Sequence, residues 1–367
     1  MSSANEALMN EQIAHATDLK RYTPTVVRRM LAILNRADVA LFNELAVRMS
    51  GMDSVSFTMQ WLEGVMFGVR SLIAVGYNQI GRELPAELLD LTKYELSHQA
   101  HMLRDVLPVQ VRMATVNPEA VYAASFARPF QGNLLKGFIA ELDAGKAKAV
   151  RRAIADGYAQ GKTTEQIVRN LRGTKAKGYA DGLLEVTRRE AQAVTTTALA
   201  HTSAFARKRS FEANNDLIKG FLWLSTLDGK TSSQCRIRDH LRYDKEYKPV
   251  GHSIPWLAGP GNLHFSCRSV STPILKSWKE LGGVDMPEFK PSERASMDGT
   301  VPSETDYATW IKKQRAERQD AILGPTRAKL MRDGDLSLAD MYSAKGEPLT
   351  LADMRARDAA AFTKAGL

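Results

Sequence analysis

Cys235 and Cys267 are the only thiols in the 367 residues, and each sits in a short Gly/Ser-rich segment. These segments are Asp228-Gly-Lys-Thr-Ser-Ser-Gln-Cys235 and Pro260-Gly-Asn-Leu-His264-Phe-Ser-Cys267-Arg268. Thiolate sulfur and imidazole nitrogen are the ligands that tetrahedral zinc takes. His264-x-x-Cys267 is a two-ligand step, Cys235 adds a third ligand, and His240 or Asp239 would be the fourth, with His252 an outside choice. Such a structural zinc would supply folding energy to a segment with little core of its own. The spacing lacks the paired C-x-x-C pattern, so a second reading stands beside the first. In it, two buried, reduced thiols and hydrogen-bonded histidines hold a small fold together, Asp228 and Thr231 serve as turn and cap, and Arg268 is a buried donor.

The flanking sequence must bring these groups together. Phe221-Leu-Trp-Leu-Ser-Thr-Leu227 reads as a strand, and Asp228-Gly229 as a tight turn. Thr231 or Ser232 can cap a short helix that carries Cys235 near its N-terminus, a position that favours thiolate. Pro260-Gly261 bends the chain ahead of His264. Catalytic alternatives have less support. Asp239-His240 with Asn262 matches the first two thirds of an HNH nuclease, in which a metal holds the phosphate, but no histidine follows His264. Cys235 and His264 have the residue types of a thiol dyad without an orienting residue or a nucleophile elbow. Gly161-Lys-Thr-Thr ends like a phosphate-binding loop but lacks the earlier glycine and a preceding strand. His98 and His101 share a helix face with no third ligand near them and read as ordinary helix histidines.

The length predicts about two or three domains, and 44% apolar with 25% charged residues is a globular composition. No apolar run reaches the roughly 18 to 20 residues that span a bilayer, and Met-Ser-Ser-Ala-Asn-Glu is no secretory signal. A cytoplasmic protein with reduced or metal-bound thiols and no membrane partner is therefore expected. Between Lys146 and Arg209 there are 14 basic and 5 acidic residues, an excess equal to the net charge of +9 of the whole chain. Arg151, Arg152, Lys175, Lys177, Arg188, Arg189, Arg207, Lys208 and Arg209 form its pairs and clusters. Such a field attracts polyanions, double-stranded DNA above all, without base readout; the plainer reading is a solvated helix face.

The expected fold is mainly α-helical, with a multi-helix N-terminal half and one small α+β module bearing the Cys/His residues. Apolar residues from Val26 to Met49 recur at helical spacing, and Pro24 fits a first turn. Helices are also predicted over Met52–Ile80, Glu87–Leu107, Leu134–Leu142, Ala147–Gly157, from a Thr163 or Thr164 cap to Leu171, and over Leu183–Arg209 with Asp181 as cap. The pattern divides into a helical domain (1–130), a basic helical region (131–215), the Cys/His module (216–275) and a C-terminal helical extension (276–367). In that extension Pro287–Met297 reads as a linker, Asp306–Ala321 as a polar helix, and Thr350-Leu-Ala-Asp353 as a capping box opening Leu351–Ala361.

In order, Trp223, Asp228, Thr231, Ser232, Cys235, Asp239, His264, Cys267 and Arg268 form a series that resembles the phage Mu F-like minor head (head morphogenesis) protein family. The resemblance covers roughly residues 150–275. Where members of that family often close the second segment as C-R-C, this chain has Ser269, which removes one thiolate. The resemblance implies a structural, non-enzymatic virion protein of a tailed bacteriophage, made in the host cytoplasm and placed in the head interior or at the portal vertex. Portal or major capsid protein, packaged DNA and sister copies would be its partners. An internal protein ejected with the genome is the alternative in the same setting, and the HNH-like nuclease is the alternative from another class.

Overall fold

The computed structural model describes residues 3–107, 113–277, 280 and 293–367. Helices α1 (Ser3–Arg48) and α2 (Met59–Asp105) form a long antiparallel hairpin in which Ala37 meets Gly76 and Glu44 meets Gly68. The predicted helix starts at Pro24 and after Pro85 are not there, because each helix runs through its proline. An interior proline costs about 3 kcal/mol. Burial on both sides outweighs that cost: Leu8, Met9, Val26 and Met30 flank Pro24, and Leu84 and Leu88 flank Pro85, all almost fully buried at about 1.5–3 kcal/mol each. Glu87 also links the two helices, accepting from Tyr22 at 2.9 Å and Arg29 at 2.6 Å.

Just before the expected domain boundary at residue 130 lies a short helix, α3 (Pro118–Phe126), capped by Asn117 with proline in its first turn. Where two short helices were expected, one helix, α4 (Leu135–Ala159), continues through Gly145. A lone glycine costs a helix only about 1 kcal/mol, and the buried Lys146 beside it is tied to Asp38 of α1. Helix α5 (Thr164–Arg172) starts at the expected Thr163, which forms a reciprocal box with Gln166. Helix α6 (Leu184–Ala213) lacks the expected Asp181 cap, since that carboxylate accepts from Thr174 N and Oγ1 instead. One apolar core runs from Val26 to Leu199. The helical domain and the basic region expected on either side of residue 130 therefore share a single core.

The small α+β module begins with β1 (Ile218–Leu224), followed by α7 (Ser233–Arg236), β2 (Arg242–Asp244), β3 (Pro249–Val250) and β4 (Val270–Leu275). The strands make an antiparallel sheet in the order β3-β2-β1-β4. The first turns of α1 pack on this sheet, where Ala4 and Leu8 join Phe211, Ile218, Phe221 and Leu275. Strands β5 (Glu293–Ser296) and β6 (Gly299–Pro302) form a hairpin at the end of the expected linker, whose residues 287–292 lie outside the described residues. The expected polar helix is two helices, α8 (Tyr307–Lys312) and α9 (Ala316–Leu323), and it is not polar throughout, because Tyr307, Trp310 and Ile311 are buried. After α10 (Pro325–Asp333), the predicted Thr350–Asp353 box opens α11 (Leu351–Arg357), and a break at Asp358 separates α12 (Ala359–Lys364). This C-terminal core takes in Leu227 and Ile237, so the extension is packed on the Cys/His module. No helix among the described residues is long and apolar enough to cross a membrane.

The three longest helices meet at one fully buried carboxylate. Glu95 of α2 faces His15 of α1 at 2.8 Å, Arg207 of α6 at 2.8 Å and Ser203 of α6 at 2.9 Å, and accepts from Gln99 at 2.9 Å. Burial alone would push this carboxyl up; Arg207, then His15 and Ser203, outweigh it and hold the group at about 2. Next to it the His98 ring stacks on His15 at 3.8 Å. Burial, and then His15, push His98 down to about 4, with Arg207 and His101 adding to the shift and Glu95 opposing it.

Glu95→Gln leaves Arg207 buried without a counter-charge, so chemical denaturation should show a loss of about 3–5 kcal/mol; a loss below 1 kcal/mol would contradict this role. Because the folded protein disfavours the His98 proton, stability is complete above pH 6.5 and declines as pH falls toward 4. His98→Gln should flatten that decline, by an amount on the order of 1 kcal/mol for a half-exposed ring, as read from melting temperature against pH.

Candidate metal centre

Cys235 is placed by α7, whose cap is Ser232 as expected; Ser232 Oγ accepts from Cys235 N at 3.3 Å. Beneath it, Trp223 Nε1 donates to Ser225 Oγ at 3.1 Å, and Ser225 Oγ donates to the Cys235 carbonyl at 2.8 Å. The second segment is fastened to α6. Gly261 has φ +83°, and a Cβ there would lie 2.8 Å from Ala204 Cβ, so glycine is required both by conformation and by close approach. Asn262 Oδ1 bonds His201 Nδ1 at 2.8 Å, and Ser266 N donates to Thr197 Oγ1 at 3.0 Å. Ser266 itself is left-handed (φ +55°), which turns the chain so that Cys267 N reaches back to the His264 carbonyl at 3.2 Å.

These elements bring Cys235, His264 and Cys267 together, with their ligand atoms within 4.8 Å of one another. The sulfurs are 3.8 Å apart and both thiols are free; Cys235 Sγ is 3.3 Å from His264 Nε2. Two thiolates on a tetrahedral ion at about 2.3 Å lie roughly 3.75 Å apart, and a thiolate and an imidazole nitrogen roughly 3.6 Å. The three side chains are therefore close enough to bind a metal ion. His264 Nδ1 donates to the Phe265 carbonyl at 2.9 Å, which turns the Nε2 lone pair toward the sulfurs, the outer-shell arrangement that orients a ligating histidine. Ser232 Oγ lies 2.8 Å from the same Nε2.

The Cys235 S–H, with His264 behind it, holds Cys267 well below the usual thiol range despite burial. Cys235 is pushed up, first by Cys267 and then by burial. A four-residue helix contributes little beside a thiol neighbour and an imidazole, and His264 is itself raised by Cys267.

The expected fourth ligands are elsewhere. Arg294 Nη1 donates to His240 Nε2 at 2.8 Å, which uses that lone pair. Asp239 accepts from Ser225 N at 2.6 Å, Tyr307 N at 2.8 Å and Arg294 at 3.0 Å, in a fully buried pair. His252 donates from Nε2 to the Arg242 carbonyl at 2.8 Å. With His240 on Arg294 and Asn262 on His201, the residues of the HNH-like series are engaged with different partners.

No family model, curated protein or solved structure matches this chain.

The basic residues divide. Arg207 is 3% exposed and bound to Glu95, and Arg188 is held by Asp38 at 2.8 Å and by Glu185, so neither forms part of an open cationic face. Arg151 pairs with Glu63 at 2.8 Å, and Lys208 and Arg209 share Glu212. Arg152 (80% exposed), Lys175, Lys177 and Arg189 remain at the surface, although Arg152 and Lys177 have carboxylates one turn away. Buried charges need partners, and a long helix that packs on two others must neutralise the cations it carries inward.

A cavity of about 1230 Å³ lies between α1, α6 and the Cys/His module, with His264 and Cys267 in its wall. Lys20, Arg28, Arg189 and Lys230 line it with no ion pair among the described residues, and its one acidic side chain, Asp228, is bound to Arg268. Lys20, Arg28 and Lys230 lie outside the basic stretch 146–209 and come together only in the fold. His15 and Glu95 gave no local signal either, lying 80 residues apart.

Protein purified without an affinity tag should carry one thiophilic divalent ion per chain by elemental analysis. Cys235→Ser, Cys267→Ser and His264→Ala should each lose it and melt lower, whereas His240→Ala should keep it. Retention of metal in all three ligand variants would refute the centre.

Proposed function

We propose that this protein is a structural minor head protein of a tailed bacteriophage, binding portal or major capsid protein, and that the ion its Cys/His centre takes is zinc. Its role is assembly rather than catalysis. The observation that carries this reading is the residue series itself, whose members fall into hydrogen-bonded groups around one small cavity. Trp223 and Asp239 converge on Ser225 beneath Cys235; Asp228 ties Thr231 to Arg268; Ser232 meets His264 beside the two thiols. Zinc is favoured by the soft donor set, two sulfurs and one imidazole.

In the virion the helical hairpin would supply contacts to portal, capsid or sister copies. Packaged double-stranded DNA would meet Arg152, Lys175, Lys177 and Arg189, which are exposed residues of the basic region. Binding of that kind is sequence-independent and driven by counterion release.

Purified particles should contain the protein at a fixed ratio to portal, and it should stay on particles emptied of DNA. Loss with the genome would instead favour an ejected internal protein. DNA affinity should fall steeply with salt, and reversing the charge of Arg152, Lys175, Lys177 and Arg189 should reduce the log–log slope by roughly 0.9 for each phosphate contact removed. A slope unchanged by all four reversals would remove these residues from any DNA contact.

A further inference from the structure

The three metal-binding side chains leave a tetrahedral ion one ligand short, and the structure supplies a place for the fourth. A second cavity, of about 20 Å³, is walled by Cys235 and His264 together with Lys230, Ser232 and Arg268. That volume admits about one water-sized atom. Lys230, Ser232, His264 and Arg268 also line the 1230 Å³ cavity, so the two spaces adjoin at the metal centre. The protein side chains expected to close the site, His240, Asp239 and His252, are held by Arg294, Ser225 and Arg242. Closed structural sites have four protein ligands, whereas sites that exchange ligands keep three and an open position.

The larger cavity indicates which ligand would enter. Lys20, Arg28, Arg189 and Lys230 present four positive charges with no ion pair among the described residues, and Thr196 and Thr226 add hydroxyl groups. A group with several acceptor oxygens and more than one negative charge satisfies this lining better than a single carboxylate. The space is also large enough for a nucleotide-sized ligand.

We infer that the Cys235–His264–Cys267 centre is an open, ligand-accepting metal site, and that a phosphate group entering through the basic cavity supplies its fourth ligand. The inference rests on the metal reading above. The step is a ligand exchange: a phosphate oxygen donates a lone pair to the metal, the bound water leaves, and no electron is transferred. Lys230 holds the phosphate from the cavity side. The phosphate could be free or the terminal group of a polynucleotide.

The full chain loaded with cobalt(II) tests this. Thiolate-to-cobalt charge-transfer absorption reports the sulfur ligands, and the ligand-field bands report the fourth position. Titration with inorganic phosphate should shift the ligand-field bands saturably while leaving the charge-transfer band in place. Lys230→Ala should keep full cobalt content and weaken phosphate binding about tenfold. A 5′-phosphorylated oligonucleotide that produces the shift at lower concentration than phosphate, with its unphosphorylated counterpart inert, would identify a polynucleotide end as the source; equal potency would identify free phosphate. Absence of the charge-transfer band overturns both the metal reading and this inference. A charge-transfer band accompanied by ligand-field bands indifferent to phosphate overturns the inference alone, and a change in the metal-only spectrum of Ser232→Ala would then identify the serine as the closing ligand.

Discussion

Glu95 is a charge in a place where water cannot reach it, and three helices are arranged so that it is never alone. Its oxygens take His15 from α1, Gln99 from its own helix, and Ser203 and Arg207 from α6. Removing any one partner leaves a buried ionic group under-satisfied, which costs several times what an exposed pair contributes. Apolar packing is tolerant of small slips along a helix axis; a hydrogen-bonded ion network is not. The network therefore sets the register of α1 and α6 against α2, and with it the position of everything that α6 carries.

What α6 carries is the second half of the Cys/His site. Thr197, Ala200, His201 and Ala204 lie along one stretch of the helix, and each meets the Gly261–Ser266 loop. The first half, at Cys235, is held from below by Trp223 and Ser225 of the sheet segment, and Ser225 depends in turn on the buried Asp239–Arg294 pair. The site thus joins two bodies, the helix bundle and the module with its C-terminal helices. A metal ion at this junction would bridge segments 32 residues apart in the chain.

Basic density along the sequence and basic character at the surface turned out to be different quantities. Arg207 and Arg188 belong to the densest clusters, yet both are used inside the fold to neutralise Glu95 and Asp38. Lys20, Arg28 and Lys230 lie outside the basic stretch 146–209 and face a shared cavity. A linear count of charges has no means of separating these cases, because exposure depends on which face of α6 the other helices cover.

Much was legible before any coordinates. The helical character, the strand at 221–224, the Ser232 cap on the Cys235 helix, the Thr163 and Thr350 boxes, and the pairing of Cys235 with His264-x-x-Cys267 all follow from local rules: side-chain period, capping chemistry and turn residues act over a few neighbours. Helix continuity through Pro24, Pro85 and Gly145 was not legible, since burial against distant residues outweighs the local penalty there. The fourth-ligand assignment failed for the same reason: His240 and Asp239 sit close to Cys235 in sequence but are claimed by Arg294, 54 and 55 residues away. The amino-acid sequence by itself determined which groups are available for metal and anion chemistry and which short elements present them. Only the tertiary structure decided which of those groups are already spent on one another, because pairing a buried charge is a long-range requirement that no local pattern encodes.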